Sequence, residues 1–203
     1  MDRIKLNDYL KKINPEFKDV ENKLLEQLPN AYLLDNNDGL KKYCGCVNLK
    51  SVDFLLKKDG ELYFIEFSDL NSEDASIRKN IDDQIKCCKK QKEKKIDCPV
   101  KDYPKQLQNM KTNDFVLKYK DTILLLYLIK NNLEPEDIFD EDINKWHYLI
   151  VYNKEPNTDL IKYLDLLKSS IQSSLPAKIL NRNNFKLQTL NMFIKSLKLD
   201  LFS

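Results

Sequence analysis

Ser51-Val52-Asp53-Phe54-Leu55-Leu56, then Lys57-Lys58-Asp59-Gly60, then Glu61-Leu62-Tyr63-Phe64-Ile65-Glu66-Phe67 is the stretch on which the reading of this chain turns. Two apolar runs flank an Asp-Gly pair, the strongest short-range hairpin signal. Side chains alternate between the two faces of a strand. A two-residue Asp59-Gly60 turn pairs Lys58 with Glu61 and sets Asp53 opposite Glu66, whereas a four-residue loop makes the two acids diagonal neighbours on the same face. Directly opposed carboxylates have Cβ atoms about 5 Å apart, where like charges destabilise a sheet. A divalent cation, a basic side chain or a shared proton must offset the repulsion. Ser68, two residues beyond Glu66, falls on the same face.

Upstream, Phe17, Val20, Leu24 and Leu28 recur at helical spacing between Pro15 and Pro29, predicting a helix over 15–28 with Glu21 at the edge of its apolar stripe. Residues 30–45 are rich in turn formers. Downstream, Asn71 or Ser72 caps an expected helix over about 73–95, whose stripe of Ile77, Ile81, Ile85 and Cys88 includes Gln84. Pro99 and Pro104 make 97–112 read as a loop, and 114–131 as a buried helix or a strand. His147–Tyr152 is the best later strand. Residues 158–175 form an amphipathic helix, and Leu187, Leu190, Ile194 and Leu197 suggest a last one. These elements describe one α/β domain over 1–203, with a core of about 15–155 and a helical C-terminal part of about 156–203.

Helix with Glu21, strand with Asp53, strand with Glu66-Phe67-Ser68, helix with Gln84: this order resembles the PD-(D/E)XK nuclease-like, or restriction-endonuclease-like, superfamily. The resemblance implies a mixed sheet with a central hairpin flanked by helices, and extra C-terminal helices. It implies that Asp53 and Glu66 hold a divalent metal, usually Mg²⁺, with Glu21 as a third ligand. It assigns Asp53, Glu66, Ser68 and Gln84 to the catalytic centre of a phosphodiester hydrolase. Ser68 departs from the pattern, because the family carries a lysine two positions after the second acid. Lys79 and Lys86 point away from the Gln84 stripe; Lys92 and Lys95 lie several turns along it; Lys50, Lys118 and Lys120 are donors that spacing does not place.

Charge and composition bound the alternatives. The 203 residues hold 34 Lys+Arg against 32 Asp+Glu, a net +2, so the chain is not a uniformly basic nucleic-acid binder. Lys89, Lys90, Lys92, Lys94 and Lys95 make a basic run that suits phosphates, or that is simply a solvated helix end. Residues 134–145 hold six acids against one lysine. Segregated patches on a scaffold lacking its lysine fit a second expectation: a non-enzymatic immunity or antitoxin-type protein that blocks a partner toxin. Three scattered glycines exclude a Gly-rich nucleotide loop. Five irregularly spaced cysteines fit neither a disulfide framework nor a zinc site, and His147 reads as a packing residue. With no apolar run near the roughly 20 residues of a membrane span and a polar N-terminus, the expected place is the cytoplasm.

Overall fold

A computed structural model describes residues 3–17, 20–70, 103–134, 142–153 and 158–198. The chain forms an α/β fold around a six-stranded mixed sheet. Strands β1 (Leu10–Lys12), β2 (Asn30–Leu33), β3 (Phe54–Lys58), β4 (Glu61–Phe67), β5 (Trp146–Tyr152) and β6 (Phe185–Thr189) lie side by side in chain order. The first four run antiparallel, whereas β4–β5 and β5–β6 are parallel pairs. The helices are α1 (Asn22–Leu25), α2 (Leu40–Tyr43), α3 (Tyr103–Ile129), α4 (Thr158–Ser174) and α5 (Leu190–Lys198).

The β3–β4 hairpin forms in the register of the two-residue turn. Asp59 and Gly60 take positive φ angles of 51° and 79°, the conformation of a type I′ turn, whose twist matches the flanking strands. Lys58 pairs with Glu61 and Phe54 with Ile65, so Asp53 and Glu66 face each other one step further out. Gly39 serves a different need: a Cβ there would lie 2.0 Å from the Asp35 carbonyl oxygen, so only glycine admits the close turn into α2.

Each face of the sheet is covered, as buried parallel strands require. Leu55, Leu62, Phe64, Tyr148 and Ile150 pack on one side against Phe115 and Tyr119 of α3 and Leu167 of α4. Phe54, Tyr63, Ile65, Leu149 and Val151 pack on the other against Phe193 and Ile194 of α5. Edge strand β1 is exposed throughout and carries Lys11 and Lys12, charges that discourage strand addition.

Several expectations change. The helix over 15–28 shrinks to Asn22–Leu25, with Glu21 extended at its N-cap. Phe17, Val20 and Leu24 still pack on the second core cluster and Leu28 is buried within it. Apolar spacing therefore reported burial, while the chain reaches the core through an irregular segment tied by the Ile13 N–H to the Pro29 carbonyl (3.1 Å). Helix α3 begins at Tyr103, not after a loop ending at 112: Pro104 falls in its first turn, where no N–H is missed. Leu187 lies on β6, not on a helix; Thr189 Oγ1 accepts from the Met192 N–H (3.2 Å) and caps α5. The C-terminal part is thus not purely helical, since β6 extends the same sheet. The expected helix over 73–95 and residues 135–141 of the acidic segment lie outside the described residues. No helix among the described residues is long and apolar enough to cross a membrane.

Candidate functional site

Asp53 and Glu66 follow the alternation that sends Leu55 and Phe64 beneath α3, so both carboxylates face that helix. Asp53 is half-buried immediately before β3. Its Oδ2 accepts from the Phe67 N–H at 2.8 Å, which fixes the carboxylate against the end of β4. Glu66 is only 3% exposed. Its Oε1 accepts from Lys118 Nζ at 2.6 Å, and its Oε2 has no hydrogen-bond partner among the described residues.

Lys118 comes from α3, and four contacts set its place. Thr122 Oγ1 donates to the Lys118 carbonyl (2.7 Å) and accepts from the Val52 N–H (2.9 Å). The Lys50 N–H donates to Asp121 Oδ2 (2.9 Å), and Lys50 Nζ pairs with Asp114 Oδ1 (2.5 Å). The approach to β3 is thereby stitched to α3 directly beside the acid pair. Thr122→Val keeps the volume but leaves the buried Val52 N–H without an acceptor. It is expected to cost about 1–3 kcal/mol, read as a lower urea midpoint with an unchanged denaturant slope.

Of the three anticipated neutralising devices, a basic side chain is in place, and the raised carboxyl of Glu66 favours a retained proton. Burial, and then the neighbouring Asp53, push the Glu66 carboxyl up to about 8 against the pull of Lys118. Burial also raises Asp53; the Phe67 amide and Lys118 oppose this, while Asp35 and Glu16 add to it. Burial alone would lower Lys118, but Glu66, Asp53 and Asp114 outweigh it and keep the ammonium protonated. The two acids and the lysine titrate as a unit.

Of the residues expected from sequence, the structure brings together Asp53 and Glu66. Glu21 is exposed at the N-cap of α1, because the helix meant to carry it inward does not form there. Among the described residues no group of three or more His, Cys, Asp or Glu is placed to hold a metal ion, so the three-acid set reduces to two. Two carboxylates with an unpartnered oxygen on Glu66 still fit Mg²⁺, which is often bound by one or two carboxylates plus water and substrate phosphate. Ser68 is buried just past β4, its N–H donating to the Val151 carbonyl (3.0 Å). Gln84, Lys89, Lys90, Lys92, Lys94 and Lys95 lie outside the described residues.

Of the three unplaced lysines, Lys50 is paired with Asp114, Lys120 is exposed, and Lys118 reaches the acids. A signal for it exists in the sequence. Buried Phe115, Tyr119 and Thr122 mark the inner face of α3, and Lys118 sits between them at the same helical spacing. His147, at the opposite end of β5, stacks on Tyr63 at 4.6 Å with Nε2 3.1 Å from Glu61 Oε2, a packing role as expected.

Next to the pair opens a cleft of about 200 Å³, for which Asp53 forms one wall together with Glu16, Asp69 and three phenylalanines. The chain matches no family model, no curated protein and no solved structure.

Proposed function

We propose that the chain is a metal-dependent phosphodiester hydrolase, a nuclease of the restriction-endonuclease-like type whose lysine is supplied by α3 instead of the position held by Ser68. One observation carries this reading: Lys118 Nζ lies 2.6 Å from Glu66 Oε1, beside Asp53. A mixed sheet with the Asp53–Glu66 hairpin near its centre supports it. Asp53 and Glu66 would hold the cation, Glu66 through its unpartnered Oε2. When bound, Mg²⁺ supplies Lewis-acid polarisation of a phosphoryl oxygen and a water acidic enough to ionise near neutrality. Lys118 brings a permanent positive charge to the anionic phosphate and a donor that can orient the attacking oxygen. The Phe67 amide and Thr122 hold Asp53 and Lys118 so that little rearrangement is needed as substrate arrives.

The test is incubation with single- and double-stranded DNA and RNA in Mg²⁺, Mn²⁺ or EDTA. Divalent-dependent cleavage is expected, reduced at least a hundredfold in a Glu66→Gln variant whose circular dichroism is unchanged. No cleavage of any of these substrates by the native chain in Mn²⁺ would overturn the reading.

A second reading rests on the same pair. Lys118 already neutralises Glu66, as suits a nuclease-like scaffold turned to binding, such as an immunity-type protein. In that case Mn²⁺ neither binds nor stabilises the chain, and the protein forms a stoichiometric complex with a toxin that it inhibits.

A further inference from the structure

Apart from Asp53, the residues of the cleft beside the acid pair take no part in the chemistry above. Its apolar side is Phe17, Phe54 and Phe67, with Phe67 meeting Phe17 at 5.7 Å and Phe54 at 6.1 Å, edge to face. Its polar side includes Glu16, Asp53 and Asp69. Among the described residues no three acids converge on a point where a metal ion would sit. They are spaced hydrogen-bond acceptors around an aromatic wall. At about 200 Å³ the space falls below the roughly 300–1,000 Å³ of sites for drug-sized ligands, and suits one ring system.

Asp53 belongs to both places: it faces Glu66 across the hairpin and forms part of the cleft wall. Asp53 is thus the residue that links the acid pair, which faces α3, to the cleft, whose phenylalanines pack on the opposite face of the sheet. Resting on the nuclease reading, we propose that the cleft seats one unpaired guanine base next to the scissile phosphodiester. An ionised carboxylate only accepts hydrogen bonds. Guanine alone among the common bases offers two adjacent donors, N1–H and the 2-amino group, which match the two oxygens of one carboxylate. Adenine and cytosine place a ring nitrogen acceptor beside their amino group, and uracil and thymine flank N3–H with carbonyls, so a carboxylate repels part of each edge. Glu16 is the acceptor open for this: it is exposed, and no hydrogen bond or ion pair engages it among the described residues. Access to that edge requires a base outside a duplex, and phenylalanine walls suit an unstacked one.

Guanosine, inosine and adenosine, titrated into the full chain in EDTA and followed by NMR, test the site without any catalysis. Guanosine is expected to bind at least tenfold more tightly than adenosine. Inosine, which keeps N1–H but lacks the 2-amino group, should fall between them. Glu16→Gln, a change at an exposed position, should bring guanosine down to the level of adenosine. Equal binding of the three, no binding of guanosine, or an unchanged preference in the variant overturns the proposal. Failure of the nuclease reading appears separately, as absence of divalent-dependent cleavage whatever the nucleosides do.

Discussion

Lys118→Met is expected to lower divalent-dependent cleavage at least a hundredfold, and to destabilise the chain by an amount that grows from pH 6 to pH 9. Both effects come from Glu66, which is 3% exposed and accepts from Lys118 Nζ. Breaking a buried pair by removing one partner typically costs about 3–5 kcal/mol, because the remaining charge is stranded. Here the cost has an escape. Burial already raises Glu66 to about 8, so the carboxyl left behind can take up a proton. The sign follows from proton counting. A carboxyl with a raised folded value binds more protons folded than unfolded, so stability falls as pH rises from the ordinary glutamate range towards the folded value. Lys118 pulls the folded value down, so its removal raises that value further, and the loss continues above about pH 8 in the variant where it has ended in the native chain. Urea unfolding at pH 6 and pH 9 reads the difference, expected to be larger at pH 9 by about 1 kcal/mol, the worth of one pH unit above the folded value of about 8. Lys118→Arg, which keeps the charge but not the compact ammonium, should recover stability more fully than activity. Equal destabilisation at both pH values would detach Lys118 from Glu66.

The sequence made the hairpin legible and hid the lysine, for one physical reason. Register in a hairpin is set locally by the turn, so Asp59-Gly60 sufficed to place Asp53 opposite Glu66. Lys118 is 52 residues from Glu66, and its approach depends on how α3 lies across the sheet. No spacing rule reaches that far, although a lysine on the buried stripe of Phe115, Tyr119 and Thr122 marked it as in need of a partner. Segment 15–28 shows the converse. Its apolar spacing matched a helix, but the same residues reach the core from an irregular path, and Glu21 was misplaced with them. Strands β1 and β2, at three and four residues, are too short for a period of two to show. Thr189 could have divided β6 from α5, since a threonine before an apolar helical run is a cap signal; the leucine spacing across it, from Leu187 to Leu190, ran past that boundary.

Asp53→Asn separates the cost of the acid pair from its use. The variant is expected to be more stable than the native chain at pH 8, to lose Mn²⁺ binding, and to lose cleavage. The fold should tolerate the change because the asparagine carbonyl can still accept from the Phe67 N–H that Oδ2 accepts from at 2.8 Å. Two full charges about 5 Å apart repel by about 3 kcal/mol at an effective dielectric of 20. Lys118 and a retained proton absorb most of this, leaving an expected gain of about 1 kcal/mol. Burial raises Asp53, so its ionisation disfavours the folded state above the ordinary aspartate range; the gain should vanish below about pH 4, where the native carboxyl is protonated anyway. On the proposed function, a divalent cation would reverse these signs in the native chain, replacing the proton and using the unpartnered Glu66 oxygen. Mn²⁺ should therefore raise the Tm of the native chain more at pH 8 than at pH 6, and leave Asp53→Asn unmoved at both. A variant no more stable than the native chain, or one still stabilised by Mn²⁺, would mean that the repulsion is already relieved or that the cation binds elsewhere. The pairing of charge cost with metal binding at one residue is what a structural carboxylate would lack.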